Sequence, residues 1–172
     1  MEIERKFLVD GAPPPTGGSG ALIRQGYLSG LRDESEVRVR AYGADTLLTV
    51  KRPLPAEDGV AARTEVEVAI SPAAFEALWQ LTAGDRIEKR RSRIALGGAG
   101  DAAEAAGAGG LTAELDVYAG ALEGLRTVEV EFADAAAARA FVPPPWFGRE
   151  LTGDSRWSNR HLAAHGAPAP PG

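Results

Sequence analysis

Stretch after stretch of this chain alternates charged with apolar residues one by one, a period that β-strands sort onto two faces. Glu36-Val37-Arg38-Val39-Arg40 is the cleanest case, with both arginines on one side and both valines on the other. The first residues behave alike: Glu2, Glu4 and Lys6 share a face, and Ile3, Arg5 and Phe7 the other. Leu47 to Arg52 carries Lys51, and in the next stretch Arg63, Glu65 and Glu67 align against Val66 and Val68. Between Ile87 and Ala95, Lys89, Arg91 and Arg93 align, with Arg90 on what should be the packing side. Glu114 and Asp116 align over 112 to 118, and Glu129 and Glu131 oppose Val128, Val130 and Phe132. Leu22 to Leu28 is less regular, with Arg24 on one face and Ile23, Gln25 and Tyr27 on the other.

Helices interrupt the strands at recognisable signals. Ser71 before Pro72 is a cap followed by a first-turn proline, and Phe75, Leu78, Trp79 and Thr82 follow at helical spacing, with Trp79 read as core. That helix stops near Gly84. Asp134 caps an alanine-rich helix to about Phe141, which Pro143, Pro144 and Pro145 end, and a last helix spans about Ser155 to Ala164. Gly11 to Gly20 is a loop; Gly97 to Gly110, almost all glycine and alanine, reads as a mobile hairpin loop; and 166–172 is a disordered Pro/Gly/Ala tail. The fold class is therefore mainly β (α+β): about eight antiparallel strands with two or three helices, in one domain over 1–165.

Composition narrows the chemistry. The 172 residues hold 19 Lys plus Arg against 24 Asp plus Glu, a net charge of -5, so the whole surface should bind neither nucleic acid nor anionic membrane. Without cysteine there are no disulfides, thiol nucleophiles or thiolate metal sites, and a metal would need oxygen ligands. His161 and His165 stand in the last helix, away from the charged strands, and receive no catalytic role. Acidic residues at the N-terminus and the lack of any membrane-length apolar run point to a cytoplasmic protein.

Two architectures suit such strands. In an open sheet the charged face looks at water, where each ion pair is worth at most about 1 kcal/mol. In a closed barrel the charged faces converge, and burying that many charges requires a wet interior and a charged ligand. A polyphosphate with a divalent metal accounts for both signs at once: carboxylates hold Mg²⁺ or Mn²⁺, while Arg and Lys match phosphate oxygens.

Glu2-Ile3-Glu4-Arg5-Lys6 resembles the Glu-x-Glu-x-Lys signature of the CYTH superfamily, the triphosphate tunnel metalloenzymes. Arg24-Gln25-Gly26-Tyr27-Leu28, Val37-Arg38-Val39-Arg40, Leu48-Thr49-Val50-Lys51 and Arg63-Thr64-Glu65-Val66-Glu67 follow in family order. So do Glu88-Lys89-Arg90-Arg91, Glu114-Leu115-Asp116-Val117-Tyr118, Glu129-Val130-Glu131-Phe132 and the run from Trp146 to Thr152. The resemblance is to short bacterial members made of this domain alone. It departs at Trp157, where related sequences tend to have tyrosine, and in the long Gly/Ala segment.

The resemblance implies an eight-stranded antiparallel closed β-barrel, or tunnel, with a charged interior. It implies metal ligation, with two ions of Mg²⁺ or Mn²⁺, by Glu2, Glu4, Asp116, Glu129 and Glu131, with Glu65 and Glu67 as further acidic positions. Phosphate binding is implied for Lys6, Arg38, Arg40, Lys51, Lys89 and Arg91, and Arg24 and Arg63 are added as phosphate or ion-pair partners. The catalytic set is Glu2, Glu4, Lys6 and Arg91. The expected activity is hydrolysis of inorganic triphosphate to pyrophosphate and phosphate, by a monomer or homodimer whose only expected partner is that small-molecule substrate. Alternatives are a class IV type adenylate cyclase, a thiamine or nucleoside triphosphatase, and a non-catalytic polyphosphate-binding module.

Overall fold

The computed structural model describes residues 3–53, 63–97 and 110–168. Glu2, most of the Gly/Ala segment and the last four residues lie outside these, as does the side chain of Arg63. Nine strands form among the described residues: β1 (Ile3–Val9), β2 (Ala21–Tyr27), β3 (Glu36–Tyr42), β4 (Asp45–Pro53), β5 (Arg63–Ala69), β6 (Arg86–Leu96), β7 (Leu111–Tyr118), β8 (Arg126–Phe132) and β9 (Phe147–Glu150). Three α-helices accompany them: α1 (Pro72–Gln80), α2 (Ala135–Ala140) and α3 (Asn159–His165). The mainly antiparallel α+β class holds. No helix among the described residues is long and apolar enough to cross a membrane.

The hydrogen-bonded strand order is β5-β4-β3-β2-β6-β7-β8-β1-β9. No ladder joins β5 to β9 among the described residues, so backbone hydrogen bonds do not close the sheet into the expected barrel. A ninth strand is one reason. Trp146-Phe147-Gly148, expected merely to pack, leads into β9, which occupies the free edge of β1 with Phe7 opposite Glu150. Leu151 N–H then donates to the Lys6 carbonyl at 2.7 Å, and the Lys6 N–H to the Thr152 hydroxyl at 3.0 Å, so the edge that closure would need is already bonded.

The chain divides into two compact units. The first comprises β1, β7, β8, β9, α2 and β6 from Arg90 onward. Its core is the apolar parity of those strands: Phe7, Ile94, Ala113, Leu115, Val128, Val130 and Phe132 are buried together with Phe141, Trp146 and Phe147. Phe147 is the hub, its ring centroid 5.0 Å from that of Phe7 and 4.4 Å from that of Trp146. Arg5, on this same packing face, has a structural task. Its Nη1 donates to the Ala138 and Phe141 carbonyls at 3.0 and 2.9 Å, satisfying acceptors at the end of α2, while Nε and Nη2 grip Glu150. Asp134 caps α2 as expected, accepting from Ala137 N–H.

The second unit holds β2 to β5, α1, the start of β6 and α3. Ser71 caps α1 by accepting from Ala74 N–H, and Phe75 and Trp79 bury against Val39 on the valine face of β3. The chain after α1 passes so near β2 that a Cβ on Gly26 would stand 2.4 Å from the Thr82 hydroxyl oxygen, so only glycine fits there. The expected single final helix is broken: a 3-10 turn at Ser155–Trp157 precedes Ser158, whose side chain accepts from His161 N–H and starts α3. Arg90, the misfit of the alternation, points outward and is exposed, which removes the conflict.

Candidate active site

In the first unit the charged parity of four strands gathers one cluster. Register places Glu4 opposite Glu131, Lys6 opposite Glu129, and Glu114 opposite Glu129. Acids directly across a ladder repel, so this face is unfavourable without cations in its midst. Arg91 supplies the main one. Its Nε and Nη2 hold the two oxygens of Asp116 at 2.7 and 2.6 Å, Nη2 reaches Glu129 at 3.0 Å, and Nη1 pairs with Glu114. Burial opposes the charge of Arg91, but the hydrogen bond and charge of Asp116, with Glu129 and Glu114 beside it, leave its pKa raised. Lys6 Nζ binds the other oxygen of Glu129 at 2.9 Å. Asp116 is fully buried, and the neighbouring Tyr118 phenol is pushed well up by burial and by the charge of Asp116.

Arg93 shares the parity of Arg91 but is 68% exposed and only 3.6 Å from Glu114, at the margin of the cluster. Five carboxylates (Glu4, Glu114, Asp116, Glu129, Glu131) thus face three bases. Such an excess of hard oxygen donors fits a divalent cation in chemistry. Among the described residues, however, no group of three acidic or histidine side chains is disposed to hold one. Arg91 explains this, because its guanidinium occupies the space between three of the five.

The second unit carries the basic set. Arg38 and Arg40 on β3 face Tyr27 and Gln25 on β2, and Lys51 on β4 faces Glu36. Lys51 Nζ pairs with Glu65 at 3.0 Å, and Arg40 Nη2 lies 3.6 Å from Glu67, which also accepts from Thr49 at 2.9 Å. Glu65 and Glu67, expected beside a metal, therefore stand among the bases as ion-pair partners. Lys89 is buried and engaged. The Tyr27 phenol is pushed well up by burial first and by the charge of Glu36 next.

Arg24 is not brought into this set. Its neighbours Gln25 and Tyr27 face Arg40 and Arg38, so Arg24 points to the opposite side, where it pairs with Glu76 of α1 at 2.6 Å and lies over the rings of Phe75 and Trp79. Arg63 keeps its place on β5 opposite Pro53, with no described side chain, and Glu2 lies outside the described residues.

Glu114, Glu36 and Arg160 were absent from the expected site. Parity alone recovers the first two, which alternate with Asp116 and with Arg38 and Arg40. Arg160 has no such signal: it comes from α3, and its Nη1 lies 4.0 Å from Glu36.

No family model matches the chain. It is 44% identical over 163 residues to an inorganic triphosphatase of Nitrosomonas europaea, covering 94% of this chain and 96% of that protein. An inorganic triphosphatase of Acetivibrio thermocellus is 37% identical over 94% of this chain and 92% of its own. A crystal structure of an inorganic triphosphatase superposes with a TM-score of 0.71 and 40% identity, covering 100% of this chain and 97% of the other. Related at that level over nearly its whole length, the chain belongs to the family of CYTH-type inorganic triphosphatases.

Proposed function

We propose that this protein hydrolyses inorganic triphosphate to pyrophosphate and phosphate, with Mg²⁺ or Mn²⁺ as cofactor, two ions being expected. The observation that carries the reading is the 44% identity, over 94% of the chain, to an inorganic triphosphatase. The charged clusters supply a chemistry to match. In this reading Arg38, Arg40, Lys51 and Lys89 bind the phosphate oxygens and neutralise their charge. Glu4, Asp116, Glu129 and Glu131 hold metal, with Glu2 joining Glu4 by parity. When bound, the metal neutralises phosphate charge and acidifies water. Arg91 must release part of its grip on Glu114, Asp116 and Glu129 for those oxygens to serve, and its guanidinium then becomes free for a phosphoryl group.

The chemical step is attack of a water oxygen on a terminal phosphorus. One P–O bond forms, the bond to the pyrophosphate oxygen breaks, and a water proton passes to a carboxylate, for which Glu4 is the candidate. Lys6 and Arg91 stabilise the charge that grows on the leaving oxygen. That the charged faces enclose one triphosphate, and that the protein works in the cytoplasm, belong to the same reading.

The test is release of phosphate and pyrophosphate from inorganic triphosphate, with ATP in parallel, under Mg²⁺, Mn²⁺ and chelator, for the wild type and for Glu4→Gln and Lys6→Ala. Metal-dependent turnover of triphosphate well above ATP, lost in both variants, is expected. Inert triphosphate with cyclic AMP formed from ATP would replace this reading by a cyclase.

A further inference from the structure

The second unit contains an arginine pair whose shared anion suits neither member. Arg38 Nη1 stands 3.5 Å from one Glu36 oxygen, and Arg160 Nη1 stands 4.0 Å from the other. Charge-assisted hydrogen bonds close to about 2.7–2.9 Å. Arg91 reaches that range with Asp116, so the fold is able to build such contacts when it needs them. The Nε–H groups of Arg38 and Arg160 are both buried without a hydrogen-bond partner among the described residues. Buried donors are nearly always satisfied, and an exception in a cluster of cations marks a place for an acceptor.

Arg160 is nevertheless fixed in place. Its Nη2 donates to the Gly30 carbonyl and lies 3.3 Å from the Ser29 hydroxyl, which itself accepts from Val37 N–H at 2.9 Å. Pre-placed donors around an ill-fitting two-oxygen anion are what a larger anion would leave when absent. A terminal phosphoryl group brings three oxygens and more charge, and guanidinium forks match it.

We propose that Arg38, Glu36 and Arg160 form a subsite for a terminal phosphoryl group, in which the Glu36 carboxylate stands where that group binds and Arg160 is a substrate-binding residue. The proposal rests on the triphosphatase reading above and extends it to the C-terminal helix. Binding expels Glu36 from between the arginines, so this acid opposes affinity rather than supporting it.

Calorimetric binding of inorganic triphosphate, with and without Mg²⁺, and steady-state kinetics on Arg160→Ala, Arg160→Lys and Glu36→Gln test it. Arg160→Ala should weaken binding and raise KM about tenfold, with the smaller part of the loss in kcat, and lysine should recover part of it. Glu36→Gln should tighten binding severalfold. Wild-type affinity in Arg160→Ala with a lowered melting temperature would overturn the proposal, making Arg160 a staple between α3 and the turn at Ser29. Weaker binding by Glu36→Gln would overturn it too, since Glu36 would then organise the arginines. If Arg160→Ala does not fold, the near-isosteric Glu36→Gln decides alone. A wild type that binds triphosphate without hydrolysing it defeats the functional reading while the affinity series still judges the subsite; a wild type that binds none defeats both.

Discussion

The two charged clusters are built from the same device, alternating strands, and end in opposite electrostatic states. Around Arg91 every short contact is made: Asp116 is gripped twice within 2.7 Å, and Glu129 is shared with Lys6. Around Arg38 and Arg160 the contacts are 3.5 and 4.0 Å, and two N–H groups are unmet. The first cluster is an assembled ion network that has to be opened before it can bind anything. The second already holds donors for an anion. Cations buried among acids hold a fold together, whereas cations in loose pairs are available to a ligand.

The largest test of that contrast is Arg91→Ala. It strands the fully buried Asp116 without its guanidinium, which should cost about 3–5 kcal/mol in stability, and should lower triphosphate turnover at least about 100-fold. Chemical denaturation with a parallel phosphate-release assay reads both. Retained stability would mean that Asp116 is solvated or protonated and that the network is not a structural unit.

Lys51→Ala should act the other way round. Its partner Glu65 is partly exposed and loses little, so the melting temperature should barely move, while KM for triphosphate rises about tenfold. A stability loss matching that of Arg91→Ala would erase the distinction between the clusters.

Arg24→Ala sharpens the comparison from outside both sets. Loss of its stacking on Trp79 and of its Glu76 pair should cost about 0.5–1 kcal/mol with kcat/KM unchanged. A fall in kcat/KM would return Arg24 to the phosphate set.

These outcomes bear on how much of the molecule could be read from its residues. Period two was enough for Arg38 with Arg40, Glu129 with Glu131, and the valines that meet α1, because side-chain direction in a strand is set by the backbone. Parity does not say which of two faces a lone charge occupies when both contain polar residues. Hence Arg24 was grouped with the phosphate binders, although Gln25 and Tyr27 take the charged side of β2. Pairing partners are settled by tertiary register, so nothing in Glu65 or Glu67 announced Lys51 and Arg40 as their neighbours. Arg91 and Arg93 look alike in sequence, yet one is encircled and the other is 68% exposed near the strand end. Arg160 reaches Glu36 across a helix and a turn, a contact with no local signature.

The smaller effects are in pH. Tyr118 has its phenol pushed up by burial, so the folded state keeps the proton longer than the unfolded chain does. Its contribution is complete below the unfolded value of 10.0 and is lost as pH rises above it. Tyr118→Phe should therefore flatten the fall of melting temperature above about pH 10; an unchanged slope would show that Tyr118 does not drive alkaline unfolding. Glu150 is the mirror case, held below the usual carboxylate range first by the hydrogen bond from Arg5. Its contribution is present above the unfolded value of 4.5 and is lost as pH falls below it, so Glu150→Gln should slightly flatten the acid limb of the same curve. No change there would make the Arg5 contacts to the α2 carbonyls, rather than its ion pair, the source of its hold.

The placement of β1 also has a consequence in time. Both of its neighbours, β8 and β9, lie far along the chain, and Arg5 and Glu150 are 145 positions apart. During synthesis the segment bearing Glu4 and Lys6 leaves the ribosome first and can be seated only when nearly all the rest has followed. Such distant pairing slows folding and leaves an unpaired amphipathic strand exposed in the interval. A nascent chain halted before β8 should therefore bind a strand-capturing chaperone through its first ten or so residues, and the hydrolytic site should be the last part of the molecule to come into being.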